Sequence, residues 1–156
     1  MTSAGMDTAL APSEWRDGDV LVSTDPTRLD LDVIHGFLSG SSYWAAGIPR
    51  EIVARSIRHS LCFGAYDGER QVGFARVVSD YATFAYVSDV FVLASHRGRG
   101  VGKRLMACLT GHPALQGLRI WALFTRDAHG LYRRFGFTEG QCPERLMERR
   151  LEQPYA

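Results

Sequence analysis

Arg97-Gly98-Arg99-Gly100-Val101-Gly102-Lys103 is the stretch of this 156-residue chain whose residue types and spacing can do chemistry. Its glycines let the backbone approach a ligand closely, and the first N–H groups of a helix have no partner within that helix. A glycine-rich turn that opens a helix therefore suits a phosphate or pyrophosphate, drawn by free N–H groups and by the positive end of the helix dipole. The neighbours fit that use. The apolar run Val87-Ser88-Asp89-Val90-Phe91-Val92-Leu93 precedes the turn and the amphipathic Val101–Leu109 follows it, so a strand feeds the turn and the turn feeds a helix. Four basic residues, Arg97, Arg99, Lys103 and Arg104, concentrate at the same place.

Spacing separates the ligand classes. A P-loop needs Gly, four residues, then Gly-Lys-Ser/Thr. Here Gly102-Lys103 is followed by Arg104, and Arg97 stands where the first glycine belongs. A dinucleotide fingerprint needs G-x-G-x-x-G early in the chain. Gly98-Arg99-Gly100 begins one, but position 103 is Lys and the motif is late. The pattern that fits is Arg/Gln-x-x-Gly-x-Gly, at Arg97, Gly100 and Gly102. It resembles the acyl-CoA pyrophosphate loop of the GNAT (GCN5-related N-acetyltransferase) superfamily. Leu131-Tyr132-Arg133-Arg134-Phe135-Gly136-Phe137 lies about one βα unit later and is similar to that family's L-Y-x-x-x-G-F signature.

The resemblance implies an N-acetyltransferase that moves the acetyl group of acetyl-CoA, its cosubstrate, to a primary amine. Backbone N–H groups of Gly98 to Lys103 would hold the pyrophosphate. Val90, Phe91 and Val92 would pair with the pantetheine arm, one N–H polarising the thioester carbonyl. Tyr132 would be the general acid, since a phenol with pKa near 10 stays protonated at neutral pH. Asp89 is the first candidate for the base, with Asp80, Tyr81 and Asp127 behind it; Asp127 also reads as a helix cap. Tyr43 and Trp44, in the loop 39–48, would receive the acceptor amine. Two other readings stand beside this one: a noncatalytic acyl-CoA-binding or sensing domain on the same fold, and a P-loop-like nucleotide binder.

The elements that position these groups follow from hydropathy and turn chemistry. Strands are expected at 19–24, 61–66, 71–78, 83–93 and 118–124, with a last one within 146–150. Helices are expected from Leu29 to about Leu38, from Pro49 to Arg58, from Gly100 to Gly111 and from Ala128 to Phe135. Asp67-Gly68 marks a hairpin. The order β-αα-βββ-α-β-α-β predicts an α+β fold, a mixed and mostly antiparallel central sheet flanked by helices. The GNAT resemblance implies the same, with the sheet splayed between its fourth and fifth strands. Residues 1–14 are expected to be a flexible tail and 15–156 a single domain.

Composition sets the bounds. Hydrophobic residues make up 46% and charged ones 22%, a globular balance, and the net charge of +1 gives no reason to expect nucleic acid or membrane as a partner. Cys62, Cys108 and Cys142 are too widely spaced for a redox pair, and Cys62 and Cys108 read as core residues. The five histidines have no metal-ligand spacing, so no metal is expected. The first residues lack the basic start and apolar core of a signal peptide, which makes a cytoplasmic location the default expectation. Exposed sheet edges would allow a homodimer.

Overall fold

The computed structural model describes residues 10–155. Six strands form one sheet in sequence order: β1 (Glu14–Asp17), β2 (Val20–Ser23), β3 (Leu61–Asp67), β4 (Arg70–Ser79), β5 (Phe84–Val92) and β6 (Ile120–Ala122). The first five pair antiparallel and β6 runs parallel to β5. Between β2 and β3 lie α1 (Leu31–Gly40) and α2 (Arg50–Arg58); α3 (Val101–Thr110) joins β5 to β6, and α4 (His129–Arg133) follows β6.

The expected mixed sheet is present, with two differences at its ends. A strand precedes the expected first one, because Gly18 adopts φ +62° and turns Glu14–Asp17 back on β2. Its sequence is polar and its edge position exposed, so it carries no hydrophobic alternation to announce it. Of the expected tail 1–14, residues 1–9 lie outside the described residues, while Ser13 and Thr24 already bond each other. The expected last strand is absent: residues 146–150 pair with no strand among the described residues. Leu146 and Met147 are both exposed there, so no alternating face gives the segment a reason to join the sheet.

The two faces of the sheet carry separate cores. On one, Ile34 and Leu38 of α1 and Val53 of α2 pack on Cys62, Phe74 and Phe91. On the other, Leu105, Met106 and Leu109 of α3 pack on Phe63, Val72, Val77 and Val87. The three α3 residues are fully buried, worth roughly 1.5–3 kcal/mol each. Asp30 starts α1 by accepting from the N–H groups of Asp32 and Val33, and its own N–H donates to Gln71 of β4 at 2.7 Å.

Two irregularities open the sheet. β5 and β6 pair only at Phe84↔Ile120, Ala85↔Trp121 and Tyr86↔Ala122, so β5 has no strand partner on that side from Val87 to Val92. This is the expected splay. Against β4, Arg76 faces Ser88 but Phe74 faces Phe91, so Asp89 and Val90 together oppose Ala75. Asp89 is the residue that makes this bulge, at φ +54°.

Candidate active site

The glycine turn lies at the C-terminal end of β5, where the sheet opens. Gly98 and Gly100 have φ of +76° and +78°, a conformation that disfavours side chains. Gly100 caps α3, and Arg104 donates the helix's first backbone bond to the Gly100 carbonyl at 3.1 Å. The N–H groups of Val101, Gly102 and Lys103 therefore precede the helical ladder. Gly98, Gly100, Val101, Gly102 and Lys103 line a cavity of about 290 Å³ together with Val92 and Leu131.

The basic residues divide their work. Lys103 faces the cavity, whereas Arg104 pairs with Asp17 of β1 at 3.1 Å. Arg97 donates from Nε to the Val92 carbonyl at 3.1 Å, tying the turn to the end of β5, and also lines the cavity. Arg99 is exposed outside it. Beneath the turn sits His96, a residue the sequence reading passed over. It is buried, and its two ring nitrogens bond Ser95 Oγ and Asp67 Oδ2, each at 2.8 Å, which fastens the turn to the β3–β4 hairpin.

Of the three strand residues, Val92 reaches the cavity. Val90 packs towards α3, and Phe91 turns the other way and stacks on Phe37 of α1 with ring centroids 4.1 Å apart. The backbone of all three borders the gap between β5 and β6.

Leu131 lines the glycine cavity, and its neighbour Tyr132 lines a second cavity of about 270 Å³ with Leu123, His129 and Phe137. Tyr132 is buried, and burial pushes its hydroxyl up to about 12, with Tyr43 and Asp127 adding in the same direction. The expected cap at Asp127 is not formed: Ala128 holds the N-cap position, and its N–H bonds Thr125 Oγ1 at 3.0 Å. Asp127 stays exposed beside Arg126, since the cap position falls one residue later than the sequence pattern suggests.

Tyr43 and Trp44 sit together, ring centroids 5.0 Å apart, and each crosses to another part of the site. The Tyr43 hydroxyl accepts the backbone N–H of Arg126, whose guanidinium stacks over the ring. Trp44 Nε1 donates to Asp89 Oδ1 at 2.9 Å. The other oxygen of Asp89 accepts from Arg76 Nε, also at 2.9 Å. The expected base is thus a largely buried carboxylate whose two oxygens each already accept a side-chain hydrogen bond. Asp80 is no freer. It accepts from the N–H groups of Ala82, Thr83 and Phe84 and from the Thr83 hydroxyl, and these bonds hold its carboxyl far below the usual range.

Arg76 and Arg126 are two further residues that sequence reading missed. Neither sits in a motif; only tertiary pairing brings them to Asp89 and Tyr43. The cysteines are as expected: Cys62 and Cys108 are buried, and burial pushes their thiols up to about 12 and about 11. Among the described residues no group of three or more His, Cys, Asp or Glu could hold a metal ion.

A family model described as an acetyltransferase (GNAT) domain matches residues 58–139, from the last residue of α2 to beyond α4. A curated Gibberella zeae protein with a provisional acetyltransferase name is 36% identical over 143 residues, covering 78% of this chain and 80% of that protein. A crystal structure from Xanthomonas campestris, described as belonging to the GNAT family, is 56% identical with a TM-score of 0.85, over 88% of this chain and 96% of its own. A Deinococcus radiodurans structure at 21% identity has a TM-score of 0.69 over 92% of this chain and 97% of its own, a likeness of fold. With the glycine turn, the splayed sheet and the L-Y-x-x-x-G-F helix in one arrangement, the chain belongs to the GNAT family of acetyltransferases.

Proposed function

We propose that the protein transfers the acetyl group of acetyl-CoA to a primary amine of a small-molecule acceptor, by direct attack in a ternary complex. The observation that carries this reading is an adjacency. A turn of positive-φ glycines at the start of α3 lines a cavity with Val92 of the opened strand β5 and with Leu131, and the next residue of α4, Tyr132, is buried in the wall of a second cavity with its hydroxyl protonated.

The turn fits a CoA pyrophosphate. A Cβ built on Gly98 or Gly100 meets nothing within 4 Å, so the glycines serve backbone conformation and approach, not packing. Acetyl-CoA brings an activated thioester; the chain's own groups do the rest. The N–H groups of Val101, Gly102 and Lys103 and the Lys103 ammonium hold the phosphates, and Arg97 and Arg99 add positive charge at the rim. The free edge of β5 at Val90, Phe91 and Val92 offers main-chain groups to the pantetheine amides. One N–H there stabilises the developing oxyanion, a contribution of roughly 3 kcal/mol where such donors are removed. The amine nitrogen bonds the carbonyl carbon, the carbon–sulfur bond breaks, and Tyr132 gives its proton to the departing thiolate. With Asp89 held by Trp44 and Arg76, the proton lost by the amine passes to solvent beside Tyr43 and Trp44, and solvent returns a proton to the Tyr132 phenolate, so the transfer closes with no net change in the enzyme.

The experiment is free-thiol release from acetyl-CoA across small amines, amino acids, polyamines and peptide N-termini, with thermal stabilisation by CoA alongside. Release that depends on a small amine is the expected result and identifies the acceptor class. Stabilisation by CoA without release from any amine would favour the sensing-domain reading. The absence of both release and stabilisation would overturn the proposal.

A further inference from the structure

Asp89 sits where four segments meet. Its Oδ1 accepts from Trp44 Nε1 in the acceptor-side loop and its Oδ2 from Arg76 Nε on β4. The same guanidinium donates from Nη1 to Ser60 Oγ, just past α2, at 3.1 Å, and from Nη2 to Ser88 Oγ on β5 at 3.2 Å. The Asp89 and Arg76 side chains are only 9% and 15% exposed. Charge-assisted bonds this sheltered are strong and directional.

The backbone explains why this side chain matters. Asp89 is the bulged residue of β5, at φ +54°, a conformation that costs most residues energy and that Asp tolerates better than most. Arg76 faces Ser88 across the ladder while its side chain grips Asp89, so the extra residue is tied across the strand pair. The bulge in turn sets the direction of the next three residues, Val90 to Val92, which border the gap. Trp44 fixes the other end of the same carboxylate. Removing the Trp44 N–H breaks the one side-chain bond from the loop to Asp89 and loosens both the loop and the bulge.

We propose that Asp89 is a positioning residue, not the proton acceptor: with Trp44 and Arg76 it locks the acceptor-side loop 41–48 to the bulge of β5, so that the two halves of the site hold their geometry together. The kinetic part of this claim rests on the acetyl-transfer reading; the structural part does not.

Two variants test it. Trp44→Phe keeps a ring and removes the N–H; Asp89→Asn keeps the size and the tolerance of positive φ and removes the charge. Hydrogen exchange on the unliganded protein reads the lock directly. Asp89→Asn should speed exchange across 41–48, and Trp44→Phe should speed it across 88–92, in a segment it does not touch through its backbone. In thiol release from acetyl-CoA with an amine that the wild type acetylates, each variant should lose roughly tenfold in rate. The double variant should be little worse than Asp89→Asn alone, and the pH–rate profile of Asp89→Asn should keep the wild-type shape. Unchanged exchange in the partner segment would overturn the lock. So would additive losses, or a pH limb that vanishes in Asp89→Asn while Trp44→Phe works normally; that last result would restore Asp89 as the base. If the wild type releases no thiol with any amine, the acetyl-transfer reading falls, and the exchange data still decide the lock.

Discussion

Tyr43 and Arg126 stand 83 residues apart in the chain and hold each other twice. The Arg126 N–H donates to the Tyr43 hydroxyl at 2.9 Å, and the guanidinium carbon lies 3.8 Å from the ring centroid. One contact is made by backbone and the other by side chain, so the loop from α1 is joined to the loop after β6 across the mouth of the opened sheet.

That double contact gives a prediction that separates acceptor from CoA. Tyr43→Phe deletes the hydroxyl and leaves the stacking, at a stability cost of about 1 kcal/mol. The KM for the amine should rise several-fold while CoA affinity holds, since the glycine cavity has no Tyr43 in its lining. Equal losses for both substrates, in steady-state kinetics with each varied in turn, would place Tyr43 outside the acceptor site.

The glycine turn predicts the reverse split. Gly100→Asp places a carboxylate where the phosphates should bind, at a φ of +78° that Asp tolerates better than most residues with side chains. The fold should survive with a loss of about 1 kcal/mol, and thermal stabilisation by CoA should vanish. Gly102→Ala is the control. Its new Cβ would meet Leu131 and Val92 at 3.7 and 3.8 Å, ordinary contact distances, so the unliganded protein should be nearly unaffected. A Gly100→Asp protein that melts like wild type and still gains the full CoA stabilisation would refute the assignment of the turn.

Tyr132→Phe should lower kcat by about two orders of magnitude, the usual worth of a positioned general acid, with CoA binding held. Burial pushes the hydroxyl up to about 12, so the wild-type rate should show no loss of the acid form at pH 9 to 10, where an ordinary phenol begins to ionise. The same burial has a consequence for stability. Unfolded, the phenol ionises near 10; folded, near 12; between these the native state binds more protons, so stability falls as pH rises through that window. A turnover that Tyr132→Phe leaves intact would end its role as acid.

How much of this was legible in the sequence depends on the distance over which each feature is made. The turn at Gly98–Gly102, the Asp67–Gly68 hairpin and the Leu131–Phe137 signature are local, and their residues specify them directly. The splay was expected only through family resemblance, because no property of Val87 to Val92 alone says that a neighbouring strand will end at Ala122. The bulge was invisible for a sharper reason. Alternation assigns one residue to one face, and Asp89 breaks the count by one, through pairing with β4 and not through any turn signal of its own. Hence Asp89 reads as a free carboxylate on a strand until Arg76 and Trp44, 13 and 45 residues earlier, arrive at its two oxygens.

His112 supplies a pH test away from the site. It is 1% exposed and packs edge-on against Trp15 and Phe63. Its Nδ1 accepts the N–H of Ala114 at 3.0 Å, capping the turn that follows α3, so the ring is neutral with its proton on Nε2. Nε2 has no hydrogen-bond partner, and burial lowers the pKa from 6.5. The sign follows from proton counts. Below 6.5 the unfolded chain takes up a proton that the folded ring resists, so the contribution is fully present above 6.5 and is lost as pH falls through the lowered folded value. Protonation at Nδ1 would also break the cap. His112→Asn keeps an acceptor for the Ala114 N–H and removes the titration. It should cost stability at pH 8, through the cavity it leaves between Trp15 and Phe63, yet show a smaller drop in Tm between pH 7 and pH 5 than wild type. Parallel Tm curves for the two proteins would mean that another group controls the acid limb.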